Sequence, residues 1–146
     1  MLQVDSETIP KEVNIEGAFK AIFHEDGGVV ELEWDEKLVE VELQTMIQLR
    51  EAIFIFGEGK KLPVYISTKP FMNITEDAKK FASSQDGQKY TLATAVLVDN
   101  LAKRILYNFY LKFYSSPNPN RAFKTKEEAF SWLKSLWKFQ IKKENI

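Results

Sequence analysis

The sequence predicts an α/β fold: a single domain whose mixed sheet of about five strands begins with an antiparallel hairpin, continues in parallel strands and is packed with about four helices. Three observations predict it. A strand of strict two-residue alternation gives way beyond residue 41 to helical periods and short, continuously apolar runs. The glycine pair Gly27-Gly28 separates the first two strand-like runs, as a hairpin requires. Beyond it, strands alternate with segments of helical length, which join neighbouring strands in parallel.

Taken in order, residues 1–16 are polar, contain Pro10 and read as a lead-in. Phe19 to Phe23 and Val29 to Trp34 are rich in strand-favouring residues, with His24-Glu25-Asp26-Gly27-Gly28 as the turn. In the second run Val30, Leu32 and Trp34 alternate with Glu31 and Glu33, which predicts one buried and one wet face. Over residues 41–56, Val41, Met46, Leu49, Ile53 and Phe56 recur every three to four residues, and Gly57 and Gly59 supply the stop. Leu62 to Ser67 reads as a strand buried on both faces. Thr75 precedes a helix through Phe81 and Ala82, with Glu76 and Asp77 where the macrodipole favours acids. Thr91 to Val98 is a second doubly buried strand. Leu101 to Tyr114 is a helix with Leu101, Ile105, Phe109 and Phe113 along its core stripe. After the loop at 115–120, Phe123 marks an edge strand. Thr125 with Glu128 forms a capping box for a last helix carrying Ala129, Trp132, Leu133 and Leu136 on its apolar face. Trp132 and Leu133 are expected to be largely buried. The expected boundaries are a lead-in at 1–16, a domain at 17–140 and a tail at 141–146.

Composition narrows the function. With 146 residues, 45% of them hydrophobic, the chain is long enough for one substantial core. There is no cysteine and one histidine, His24, so disulfides, thiolate chemistry and common zinc sites are excluded. No apolar run has membrane-spanning length, and the N-terminus lacks a signal-peptide layout, so the expected location is cytoplasmic. Residues 1–58 carry 14 acids and 4 bases, and the remainder 7 acids and 16 bases. This asymmetry is either a bipolar surface for a partner or a consequence of two halves that interleave and neutralise locally. Of 20 basic residues only Arg50, Arg104 and Arg121 are arginine, which argues against specific nucleic-acid reading.

The order hairpin, then helix and strand in alternation, is carried by several further residues. These are Gly27-Gly28, Leu62-Pro63-Val64, Ile74-Thr75-Glu76-Asp77-Ala78, Ala93-Thr94-Ala95-Val96-Leu97-Val98, Arg104 with Asn108-Phe109, and Phe123 with Glu127-Glu128-Ala129 and Trp132-Leu133. Together they resemble the SpoIIAA-like branch of the STAS superfamily, the fold of anti-sigma-factor antagonists, in the group labelled STAS/SEC14-like. The resemblance covers about residues 17 to 137. It implies the fold and a tendency to bind partners; no reaction is established for the group. STAS antagonists that act as phospho-switches carry a serine, commonly in an Asp-Ser-Ser-Gly context, where the third strand leads to the second helix. Here that connection is Ser67-Thr68-Lys69-Pro70-Phe71-Met72-Asn73-Ile74-Thr75, which is longer and offers only Thr68 or Thr75 near the position.

Candidate sites follow from these elements. The expected partner surface is the 68–78 connection with the N-terminus of the second helix, where Thr68, Asn73, Thr75 and Glu76 are candidate switch or partner-binding residues. A phosphate on Thr75 would face a positive helix end, but Glu76 and Asp77 would repel it and threonine is an ordinary cap. His24, Glu25 and Asp26 form either an acid–base or metal set or the polar residues of a turn. Tyr107, Tyr110 and Tyr114 share a second face of their helix. They would form a homodimer contact, line an apolar-ligand pocket, or lie under Trp132, Trp137 and Phe139. Lys79, Lys80, Lys89, Lys103 and Lys112 read as solvated lysines. No nucleophile–base pair or metal set can be assembled, so no catalytic, cofactor or metal residue is assigned and the chain is read as a non-enzyme. The leading reading is a SpoIIAA-like regulatory domain acting by contact with an unknown protein partner. The alternative is a carrier of a small apolar or lipid-like ligand.

Overall fold

The structure is a computed structural model and describes residues 10–67, 69 and 72–144, with side chains as far as Gln140. The chain enters through β1 (Glu12–Ile15), β2 (Phe19–His24) and β3 (Val29–Trp34), a three-stranded antiparallel meander. β1 lies inside the stretch expected as a loose lead-in, and its Val13 and Ile15 pack against the core beside β2. Then follow β4 (Glu40–Val41), α1 (Leu43–Gly57), β5 (Leu62–Ser67), β6 (Asn73–Ile74), α2 (Glu76–Ser83), β7 (Thr91–Leu97), α3 (Leu101–Phe113), β8 (Asn120–Phe123) and α4 (Lys126–Glu144). The main sheet has the order β1-β2-β3-β5-β7-β8 and is parallel from β3 onwards. It is thus a mixed sheet of six strands with four helices, as the alternation predicts, with β1 as the added strand.

Period two explains the two layers of core. Phe19, Ala21, Val30, Leu32 and Val64 face α1, where Leu49, Ala52, Ile53 and Phe56 cover them. Val29, Tyr65, Ala93, Ala95 and Phe123 point the opposite way and are sealed by Ala129 and Leu133 of α4. β5 and β7 therefore read as continuous apolar runs because both of their faces are covered. Ala93, Ala95 and Ala129 show no exposed surface, and their small side chains let α4 lie close to the sheet. Pro63 sits where the β5–β7 register shifts, a place where a missing N–H is tolerated.

Four local expectations are corrected. Val41 belongs to β4 and not to α1, although it is fully buried. The left-handed residue after α1 is Glu58 (φ 53°), with Gly59 (φ 91°) behind it; both backbone N–H groups donate to the Phe54 carbonyl and close the helix. Glu31, expected on a wet face, is 7% exposed because α4 crosses over that side of β3. Trp132 is only partly buried, whereas Leu133 is wholly so.

The charge asymmetry is neutralised in part across the fold. Lys134 pairs with Asp26 at 3.2 Å and Lys126 with Glu31 at 2.7 Å, each joining an acid of the first part of the chain to a base of the second. Arg50 and Asp86, 2.8 Å apart, cross the same divide with the signs reversed.

Candidate functional site

A small parallel ladder outside the main sheet sets the geometry at one end of the domain. β4 and β6 pair Glu40 with Asn73 and Val41 with Ile74, and the Thr75 N–H continues the ladder by donating to the Val41 carbonyl at 3.1 Å. Each of these two-residue strands runs through a single residue, Glu42 or Thr75, into a helix. The N-termini of α1 and α2 are thereby held side by side. Between them is a shallow, open depression lined by Glu42, Leu43, Gln44, Ile47, Thr75 and Asp77.

Thr75 is fully engaged as a cap. Its Oγ1 accepts from the Ala78 N–H at 3.3 Å and donates to Asp77 Oδ1 at 2.6 Å. Asn73 Nδ2 donates to Glu40 Oε2 at 3.3 Å. Thr68 lies outside the described residues. Lys69, in the same connection, donates through Nζ to the carbonyls of Asp35, Glu36 and Leu38, at 2.5, 2.7 and 3.3 Å, and ties the connection to the turn after β3. Sequence reasoning missed this clasp, since a lone lysine in a loop carries no pattern.

α3 adjoins this region, but its faces are the reverse of the expected ones. The tyrosines turn inward: Tyr107 Oη donates to Asn120 Oδ1 at 2.6 Å, Tyr110 bonds the Ser83 side chain, and Tyr114 Oη donates to Glu76 Oε2. The expected core stripe turns outward instead. Leu101, Ile105, Phe109 and Phe113 are 59–71% exposed, and Leu106 beside them is 68% exposed. The reason is the polarity of what lies beneath. β8 and α2 offer an amide, a hydroxyl and a carboxylate, which phenol hydroxyls satisfy and alkyl groups do not. Periodicity reveals both faces of such a helix and cannot say which one the neighbours prefer.

These contacts shift the titrations. Burial pushes the Tyr107 phenol up to about 12. The Tyr114 bond holds the Glu76 carboxyl below the usual carboxylate range and raises Tyr114 in turn. The structure thus joins two surfaces that the sequence left separate, the start of α2 and the end of α3.

The hairpin residues do not form a set. Glu25 lies 3.9 Å from Lys11 and Asp26 pairs with Lys134, while His24 Nε2 lies 2.9 Å from Oε1 of buried Glu31. Lys126 donates to the other oxygen of Glu31 and lies over the rings of Tyr65 and Phe130. Glu31 is the polar residue that sequence reasoning misplaced, and its signal would have been the need to cover β3 on both sides. Among the described residues no group of three or more His, Asp or Glu is placed to hold a metal ion. Between α1, α2 and the sheet is a cavity of about 70 Å³, lined by Met46, Ile53, Val64, Phe81, Thr94 and others. No helix among the described residues is long and apolar enough to cross a membrane.

The family model described as Domain of unknown function (DUF7793) matches residues 23–137, from the hairpin to Trp137 on α4. The chain belongs to that family. No curated protein matches this DUF7793 domain. Among solved structures it is similar to an uncharacterised protein of the DUF3478 family with a SpoIIAA-like fold, from Shewanella loihica PV-4. The two share 16% identity with a TM-score of 0.55, over 83% of the DUF7793 chain and 97% of the other. At that identity the likeness is one of fold, and the fold of this DUF7793 domain is SpoIIAA-like.

Proposed function

We propose that this DUF7793 domain is a non-enzymatic regulatory module that acts by protein–protein contact through α3 and the adjoining start of α2. One observation carries the reading: α3 presents Leu101, Ile105, Leu106, Phe109 and Phe113 to solvent on a single side. A contiguous apolar surface of this kind marks interaction sites. The regulatory part rests on the SpoIIAA-like fold alone, by analogy with anti-sigma antagonists. Asn73 and Thr75 lead into the adjoining start of α2, where Thr75 caps the helix and Glu76 anchors Tyr114 on the inner side of α3.

The carrier reading has less support. The hydroxyls of Tyr107, Tyr110 and Tyr114 are engaged within the chain, the cavity of about 70 Å³ is small beside the ~300–1,000 Å³ of ordinary ligand sites, and the depression of about 400 Å³ between the starts of α1 and α2 is shallow and open instead of enclosing.

Affinity capture from native lysate tests the proposal, using wild type and a Phe109→Glu/Phe113→Glu variant whose fold is checked by circular dichroism. A protein retained by the wild type and lost from the variant supports contact through α3. Identical sets of captured proteins would refute it.

A further inference from the structure

The exposed face of α3 has a composition suited to itself. Its N-terminal half offers aliphatic groups, Leu101, Ile105 and Leu106, and its C-terminal half offers aromatic rings, Phe109 and Phe113, which pack on one another at 5.0 Å between centroids. A second α3 laid antiparallel about a point near residue 107 would set Leu101 against Phe113 and Ile105 against Phe109. Every ring would then meet an aliphatic partner. Parallel packing would set like on like and bring Lys112 against Lys112.

Charge favours the antiparallel choice. The ionisable groups of α3, apart from its tyrosines, are Lys103, Arg104 and Lys112, all basic, and the carboxylate just before the helix, Asp99, is paired with Lys103 at 2.9 Å. Antiparallel pairing keeps the two Lys112 side chains at opposite ends of the contact and opposes the two helix dipoles. A two-fold axis across the helices generates this arrangement and closes the assembly at two chains.

Area is consistent as well. Phenyl rings bury about 150–250 Å² each when fully covered. Five large side chains, each more than half exposed, bring two facing copies to roughly 1,000 Å², the lower bound for a specific interface.

We infer that the occupant of the outer face of α3 is a second copy of this chain, the two α3 helices packing antiparallel about a two-fold axis. The inference rests on the contact reading above and names its partner. It leaves the depression between the starts of α1 and α2 free for a different protein.

Sedimentation equilibrium of the full chain tests it. The wild type should move from the one-chain to the two-chain mass as concentration rises, and Ile105→Glu, at an exposed site, should stay monomeric with an unchanged circular dichroism spectrum. The chain has no cysteine, so engineered ones report geometry directly. A mixture of Ile105→Cys and Phe109→Cys chains should oxidise mainly to the mixed dimer. A wild type that stays monomeric at high concentration overturns the inference. So does a dimer that survives Ile105→Glu, or cross-linking that favours Ile105→Cys with itself. A monomeric wild type that still captures a protein through α3 would refute self-pairing and leave the contact function standing.

Discussion

Two demands meet at Gly28. Its φ of +68° suits a residue without a side chain, and a Cβ there would lie 2.5 Å from the Trp137 ring of α4. Gly27 is in the same position, at φ +86° with Lys134 crossing over it. The glycine pair read as a hairpin signal is also the floor on which the last helix rests. Gly28→Ala should therefore cost about 1–3 kcal/mol, the range for overpacking, with backbone strain in addition. Urea titration showing no loss would mean that Trp137 moves away freely. Glu31 poses the opposite problem, a buried carboxylate held by partners that both reach solvent: the His24 and Lys126 side chains are 38% and 55% exposed. Removing Lys126 strands the acceptor, whereas replacing Glu31 with an apolar residue releases two groups into water. Lys126→Met should cost about 1–3 kcal/mol. Glu31→Leu should cost less, under about 1 kcal/mol, and combining the two should restore part of the loss. The reverse ranking in the same titration would show that the pair itself stabilises the fold.

Among the elements, α3 and α4 differ in the depth of their contact with the sheet. Leu133 on α4 is fully buried, whereas Leu106 on α3 is 68% exposed. Leu133→Ala should cost about 2–5 kcal/mol, as cavity formation does. Leu106→Ala, measured in dilute solution, should stay within about 0.5 kcal/mol, as exposed substitutions do. Equal losses would mean that the inner and outer faces of α3 have been misassigned. The same contrast explains what was legible in the sequence. β5, β7, α2 and α4 announce themselves because burial and capping are local in pattern: Thr75 and Thr125 each accept a backbone N–H at the start of a helix. β4 and β6 are two residues long and stabilised by each other, so no window of sequence contains their reason. The candidate surface was half legible. Asn73, Thr75 and Glu76 could be placed at the start of a helix, but their junction with Tyr114 spans 38 residues and depends on the route of the chain. The orientation of α3 was not legible at all, because both of its faces are apolar enough to be buried.

On the scale of the whole molecule, the domain divides into a doubly covered sheet and one helix held mainly by hydroxyl groups. No side chain of α3 is buried, and its ties to the rest include the three tyrosine hydroxyls. Elements held in this way open at lower free energy than the core. Tyr107 makes that opening dependent on pH. A tyrosine in the unfolded chain loses its proton near 10, while burial holds the Tyr107 proton to about 12. Between those values the unfolded or detached state binds fewer protons than the docked one, so docking is favoured below about 10 and weakens as pH rises through the window to about 12. Titration at 295 nm should show a late-ionising tyrosine that is missing from Tyr107→Phe. At neutral pH, amides of residues 101–113 should exchange hydrogen before those of β5 and β7. Raising the protein concentration should slow exchange in α3 selectively, because a second copy would cover the face that this chain leaves open. If α3 exchanges as slowly as β7 in dilute solution, its hydroxyl contacts hold it as firmly as a core would, and the division of the domain into a rigid sheet and a detachable helix fails.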